Sequence, residues 1–368
     1  MSSFIVIKFM AGEYILRLTK HNVFAAIMTA FLIVLLFAPA IWANPATEVR
    51  TDFLMDTFIE QQLIGRNAKK AGSEVYAALR ELENELSLYN ADSEIAAVNT
   101  AAGKSYVKVS PQTYALLKRS CELSSLSCGA FDITIGSLTT LWHSAKEAGI
   151  PPTATRLAEP QRLVDYRNVL FDDSTGSVKL AEAGMALDPG GIAKGYACEI
   201  VRKIYEENKL QTALISIGGN VCTYKAPRGK SYYRVGIKNP DVNGENPLLV
   251  LNTKDEVIAT SGAYERYFTY NGTVYHHIID KKTAMPAQSD LLSVTIVTSD
   301  GTLADYLSTT LFVLGKKAVL KAIAEEGTAP QFMVLAIDKN KNIYASSGLL
   351  RRLELLDDKN YRFAADLS

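Results

Sequence analysis

Cysteine and histidine are both scarce: the 368 residues hold four of each. Cys121, Cys128, Cys198 and Cys222 form no C-x-x-C pair and have no histidine cluster beside them, which removes a structural zinc site from consideration. Small buried thiols are the expected reading. A charge excess is missing too. Lysine plus arginine and aspartate plus glutamate each number 39, for a net charge of zero. The strong positive field of a nucleic-acid binder is therefore absent, and no nucleic-acid partner is expected. After the N-terminal region there is no long linker, low-complexity stretch or internal repeat. The two common nucleotide fingerprints are missing as well: there is no G-x-x-x-x-G-K-[ST], and no G-x-G-x-x-G at a strand-to-helix turn.

One long apolar run is present. Residues 23–43 carry no charge, and their length approaches the roughly 20 residues that span a bilayer. Lys8, Arg17 and Lys20 precede the run, which suits a cytoplasmic N-terminus at 1–22. Ala38, Ala40 and Ala43 offer small residues for signal cleavage, so the run reads either as a signal peptide or as a retained anchor. No cysteine follows closely enough to carry a lipid. In either case the rest of the chain is expected on the outer face of the cytoplasmic membrane or in the periplasm.

The most informative stretch is DPGGIAKGYA, from Asp188 to Ala197. Glycines let a backbone approach a ligand closely, and a nearby lysine offers a point charge to a phosphate. An acid just upstream can accept hydrogen bonds or sit near a cation. Together they point to a phosphate-bearing ligand, while a tight loop leading into a helix is the bland alternative.

The periodicity predicts helices over 67–87, 110–125, 192–208 and 303–314, with Ser110 as N-cap ahead of Pro111. Strands are predicted at 169–170, 213–217, 232–237, 248–251, 257–260, 275–279, 292–298, 332–337 and 343–345, with a hairpin turn over 338–342. In the second half the strands follow one another without helices between them. That predicts an α+β fold with mainly antiparallel sheets.

Polar clusters interrupt these runs. Gly129–Thr134 (GAFDIT) reads as a helix end or as a carboxylate beside a ring-sized gap, and ISIGGNV at Ile215 reads as a turn. ATSGAYER at Ala259 is a polar wall with a possible internal Glu265–Arg266 pair. Strand alternation would put His276 and His277 on opposite faces. If a helix opens at Leu303, Asp305 lies in its first turn and Thr309 one turn later on the same face, a hard-oxygen set able to hold Mg²⁺.

In their order, MDT at Met55, SLYNADSEIAAVN at Ser87, GAFDIT, DPGGIAKGYA, ISIGGNV, ATSGAYER, HHIIDKKTAMP at His276 and LADYLSTTLFVLG at Leu303 form a series. That series resembles the ApbE family of FAD:protein FMN transferases over roughly residues 52–349. The resemblance implies a mixed ApbE-like, T-fold-related domain over 50–350 with FAD in a cleft between two parts, and a C-terminal tail over 351–368. It implies Mg²⁺-dependent cleavage of FAD, transfer of FMN to a threonine or serine hydroxyl of a partner protein, and release of AMP. By the same resemblance Met55, Tyr89, Ala130, Phe131, Asp132, Asp188, Lys194 and Ile279 contact FAD. The main chain of Gly191 with Asp305 and Thr309 forms the magnesium position, and His277 takes the acceptor proton. Ser308 stands where some members carry a second acid. The partner would carry a D-x-x-S-G-A-[TS]-like segment and could be a membrane redox subunit. Two other readings stay open: hydrolysis of FAD to FMN and AMP, and a non-catalytic flavin-binding accessory protein. Tyr89 favours transfer over hydrolysis.

Overall fold

The structure, a computed structural model, describes residues 46–241, 246–325 and 331–364. The apolar run at 23–43, the segment before it and the last residues of the tail lie outside the described residues. Among those described, no helix is long and apolar enough to cross a membrane.

The helices are α1 (Ala68–Leu86), α2 (Glu94–Thr100), α3 (Pro111–Leu126), α4 (Gly136–Ala148), α5 (Ala154–Arg162), α6 (Ala193–Glu207), α7 (Gly301–Leu314), α8 (Lys316–Ala324) and α9 (Ser347–Leu350). The strands begin with β1 (Thr47–Leu54), β2 (Thr57–Ile64), β3 (Val107–Lys108), β4 (Val169–Asp172), β5 (Ser177–Leu180), β6 (Thr212–Ile217), β7 (Asn220–Tyr224), β8 (Tyr233–Lys238), β9 (Pro247–Thr253) and β10 (Val257–Gly262). They continue with β11 (Tyr267–Tyr270), β12 (Thr273–His276), β13 (Ile279–Asp280), β14 (Met285–Pro286), β15 (Leu291–Thr298), β16 (Met333–Asp338), β17 (Asn342–Ala345), β18 (Leu353–Leu355) and β19 (Arg362–Phe363).

Nine strands form the main sheet, in the order β1-β2-β6-β7-β10-β15-β16-β17-β19. Every neighbouring pair is antiparallel except β17 with β19. Period-2 alternation sorts the side chains between two cores. Val257 and Ala259 of β10 face the core that α1, α6 and α7 cover. Ile258 faces the other core, closed by Val235, Leu249 and Leu251 of the small β18-β9-β8 sheet. A third cluster joins Leu138 and Trp142 of α4 to Leu157, Ile279 and Ala284.

Local chemistry explains most of the helices. On α1, Ala68, Ala71, Val75, Leu79, Leu82 and Leu86 recur at helical spacing and are buried. Ser110 caps α3, its hydroxyl accepting from Thr113 N at 3.1 Å. The start of α7 corrects the expectation at Leu303. Asp300 Oδ1 accepts from Leu303 N at 2.8 Å, so the helix opens at Gly301 and Asp305 falls in the second turn. Five helices escaped the sequence reading, α2, α4, α5, α8 and α9. Four of them are short, and α5 contains Pro160. At the other end, residues 353–355 and 362–363 add strands, and Tyr361 is buried.

The predicted strand over 275–279 is broken. It stops at His276, where His277 N–H turns to Arg266 O at 3.1 Å, and β13 starts afresh at Ile279. The glycine pair 218–219 is the turn between β6 and β7, as expected. Of the cysteines, Cys198 and Cys222 are buried, whereas Cys128 is exposed at the end of α3.

The closest approach in the core is between α6 and α7. A Cβ at Gly195 would overlap Gly301 O and crowd Asp305 Cβ, and a Cβ at Gly301 would overlap Gly195 O. Gly195→Ala is therefore expected to destabilise the protein by about 1–3 kcal/mol or more, because backbone cannot yield as a side chain does. Urea unfolding measures this. A loss within about 0.5 kcal/mol, the ordinary surface range, would contradict the close crossing.

Candidate active site

The glycine-rich stretch is held from behind. Asn99 brackets Leu187, accepting from its N–H at 2.7 Å and donating to its carbonyl at 3.1 Å. Asp188 N–H then donates to Ile133 O at 2.8 Å. Asp188 Oδ1 accepts from Gly190 N at 2.8 Å, which tightens Pro189–Gly191 into a single 3-10 turn before α6. Lys194, in the first turn of α6, reaches back to Gly190 O at 3.4 Å.

This turn meets α7. Gly195 N–H donates to Asp305 Oδ2 at 3.0 Å, and the other carboxylate oxygen lies 3.9 Å from Lys194 Nζ. Asp305 is buried, with its side chain 5% exposed. A Cβ on Gly191 would lie 3.9 Å from Thr309 Oγ1 and 3.1 Å from the Phe131 ring. Gly191, Lys194, Asp305 and Thr309 thus come together. Ser261 at the end of β10 adds a further hydroxyl, 2.9 Å from Ser308 Oγ and 3.2 Å from Thr309 Oγ1.

The second wall centres on Arg266. Its guanidinium donates to Asp56 O at 2.9 Å, in the tight β1–β2 turn where Met55 and Asp56 both take φ of 54°. Met55 N–H in turn donates to Glu83 Oε1 at 2.8 Å. The carbonyl of Arg266 lies 3.2 Å from His277 Nδ1. A carbonyl can only accept, so this contact puts the proton on Nδ1 and leaves Nε2 unprotonated. His277 as a residue is exposed, yet its ring is crowded by surrounding atoms. That crowding lowers its pKa, and the positive charges of Arg266 and Lys194 act in the same direction. Tyr89 is half open to solvent. Its phenol pKa is raised first by partial burial and then by the negative charges of Asp188 and Asp56. Its ring lies 4.6 Å from His143.

Other predicted residues are engaged by groups of the protein itself. Asp132 is fully enclosed: it accepts from Lys281 Nζ at 2.7 Å, Thr134 Oγ1 at 2.7 Å and Tyr166 N at 3.2 Å. Gly129 leaves the space through which Lys281 reaches it. Lys281 also lines a polar hollow of about 310 Å³ with Cys128, Asp165, Tyr166 and Arg167. Ala130 N–H donates to Ser127 O at 3.1 Å within the helix-ending turn. The Phe131 side chain is buried under Gly191 and edge-on to Tyr306. Ile279 puts its side chain into the α4 cluster, so a ligand contact there would fall to its main chain. Glu265 and Arg266 do not pair with each other; Glu265 lies 3.2 Å from Lys238.

The sequence model of the ApbE family matches residues 55–333. The chain belongs to the ApbE family. A protein from Treponema pallidum (strain Nichols) named FAD:protein FMN transferase is 35% identical over 310 residues, covering 79% of this chain and 85% of its own length. One of the same name from Klebsiella pneumoniae (strain 342) is 32% identical, covering 77% and 87%. Among solved structures, the ApbE protein from Thermotoga maritima superposes with a TM-score of 0.75 at 31% identity, covering 82% of this chain and 98% of that one. The flavin transferase ApbE from Vibrio cholerae gives 0.72 at 27% identity, with the same coverage. The expected mixed, mainly antiparallel ApbE fold is the fold found.

Sequence reasoning missed the parts played by Ser261 and Arg266 in this ApbE site. Both stand in the ATSGAYER cluster it had flagged, but the partners of their side chains lie more than forty positions away in sequence. His276, next to the site, is fixed through both ring nitrogens. Its Nδ1 accepts from Ile278 N at 3.2 Å and its Nε2 lies 3.0 Å from Ala287 O, an arrangement that requires the neutral ring. Burial lowers its pKa below the ordinary histidine value. The unfolded chain then takes up the proton first as pH falls through about 6.5, so stability present above that pH is lost on the way down to the folded pKa. Urea titrations between pH 7 and 5 should show a steeper loss in wild type than in His276→Gln. Equal slopes would remove this assignment.

Proposed function

We propose that the chain transfers FMN from FAD to a hydroxyl of a partner protein in a reaction that needs Mg²⁺. The observations that carry this reading are the meeting of Lys194 with Asp305 and the pinning of His277 Nδ1 by Arg266 O, which leaves Nε2 unprotonated. In the reaction the acceptor oxygen attacks the FMN-side phosphorus and the P–O–P bond breaks. AMP leaves with the bridging oxygen, and the acceptor proton passes to His277 Nε2. A hydroxyl is a poor nucleophile at neutral pH and needs such a base. A histidine with a lowered pKa is already neutral there.

The donor set suits magnesium. Among the described residues no three acidic, histidine or cysteine side chains cluster as a metal cage. One carboxylate, Asp305, with the Thr309 hydroxyl and the Gly191 main chain is a sparse, hard-oxygen set. Mg²⁺ favours this kind of set because it fills its remaining positions with water and phosphate oxygens. When bound, the ion would neutralise charge on the diphosphate. Lys194 adds positive charge from the α6 side, and Gly195 N–H holds the Asp305 carboxylate in place. Met55, Tyr89, Asp188 and the 130–132 segment are the proposed flavin-nucleotide contacts, with Ile279 through its main chain.

We also place the catalytic domain outside the cytoplasmic membrane. The support is the 23–43 apolar run behind Lys8, Arg17 and Lys20. The acceptor is proposed as a separate protein bearing a D-x-x-S-G-A-[TS]-like segment, of the membrane redox class. Hydrolysis of FAD is the second reading, favoured by the solvent exposure of His277, where water can compete.

Two variants test the roles. Asp305→Asn is expected to fold and to lose covalent transfer at every Mg²⁺ concentration, as read by mass spectrometry of the acceptor. Normal flavinylation by that protein would sink the metal assignment. His277→Ala is expected to lower the transfer rate by about 10²–10⁴, the usual worth of a general base, with FAD affinity little changed. Parallel loss of both would remove the base from His277.

A further inference from the structure

We infer that the β11–β12 hairpin is the docking strand for the acceptor protein, pairing with an extended segment of it so that its hydroxyl arrives at His277. The inference rests on the transfer reading above and says where the second substrate binds. Among the described residues the two strands form a sheet of their own and pair with no other strand. Their shared base is the active-site wall: Arg266 immediately precedes β11, His277 immediately follows β12, and His277 N–H closes on Arg266 O at 3.1 Å. A segment laid along this hairpin is therefore led toward Nε2. From Val274 to His277 is about 10 Å of extended chain, three residues of strand.

The hairpin is firmly mounted on one side. Phe268 and Tyr275 stack on each other at 5.3 Å, and Tyr275 stacks on Trp142 of α4 at 5.6 Å. Trp142 is itself fixed by donating to Ala284 O at 2.8 Å. On the opposite face His276 is buried against Phe312, while Tyr267 (38% exposed), Thr269 and Val274 (48% exposed) are open.

Soluble proteins guard open strand edges with lysine, other charges, proline or a bulge. Residues 267–276, YFTYNGTVYH, contain no aspartate, glutamate, lysine, arginine or proline, and the four cross-strand pairs run without a bulge. An unguarded edge that ends at a catalytic base fits recognition by strand addition. In that mode main-chain hydrogen bonds give affinity, and alternate side chains give specificity. The partner chemistry that fits is an extended segment with its serine or threonine at the end that meets His277.

The test is Thr269→Glu combined with Val274→Lys. These two residues face each other across the ladder, so opposite charges keep the hairpin paired while guarding its edge. Full-length protein, FAD, Mg²⁺ and a soluble domain carrying a D-x-x-S-G-A-T segment are the reactants. The expected result is a KM for that domain raised roughly tenfold or more, with kcat and FAD affinity little changed. An unchanged KM overturns the inference and leaves the transfer reading standing. If the wild type binds FAD but flavinylates nothing, the transfer reading fails and this inference with it. If the wild type is a dimer that the variant dissociates while KM stays the same, a second copy covers the edge and the inference falls. Should the variant also lose FAD, hydrogen exchange on the wild type decides: acceptor-dependent protection of amides 267–276 supports the docking strand, and its absence overturns it.

Discussion

Helices α6 and α7 cross so closely that only hydrogen fits at Gly195 and Gly301, and the site hangs on that crossing. With main chain against main chain, Gly195 N–H reaches the Asp305 carboxylate at 3.0 Å. A buried carboxylate needs such donors, because an unpaired charge away from water is costly. The same approach sets the Pro189–Gly191 turn over Thr309 and the Phe131 ring. Lys194, one residue before the crossing glycine, then lies beside the carboxylate without a fold of its own to hold it there.

The main sheet acts as the frame for these parts. β10 carries Ser261 to the hydroxyl cluster at one end of the sheet, and α7 packs against β10 and β15. The first hairpin brings the Met55–Asp56 turn to the guanidinium of Arg266, whose carbonyl orients His277. One residue thereby joins a turn at the start of the described chain to the proposed base. The chemistry needs this economy: a base with one nitrogen pinned presents the other in a fixed direction.

Sheet position and local hydrogen bonding, more than propensity, explain where the sequence reading stopped short. The α1 stripe, the Ser110 cap and the β16–β17 turn are short-range signals, and each was legible. The start of α7 was misplaced by two residues because the capping acid, Asp300, sits ahead of Gly301 and Thr302 rather than beside the apolar run. The paired histidines read as one strand, yet the His277 backbone bonds Arg266 O across the hairpin base and ends it there. The GAFDIT cluster read as a helix end or as a carboxylate beside a ring-sized gap, and its partner Lys281, remote in sequence, was not legible there.

The sequence by itself determined the order of elements, the mixed antiparallel class and the series of polar clusters that carries the ApbE family likeness. Those properties are written in spacings of two to four residues and in motif order, which any local reading recovers. Tertiary structure alone decided the partners. Gly195 and Asp305 are 110 positions apart, and Arg266 and Asp56 are 210 apart. No periodicity links such pairs, because a hydrogen bond across the fold depends on how whole elements pack and not on what stands beside each residue in the chain.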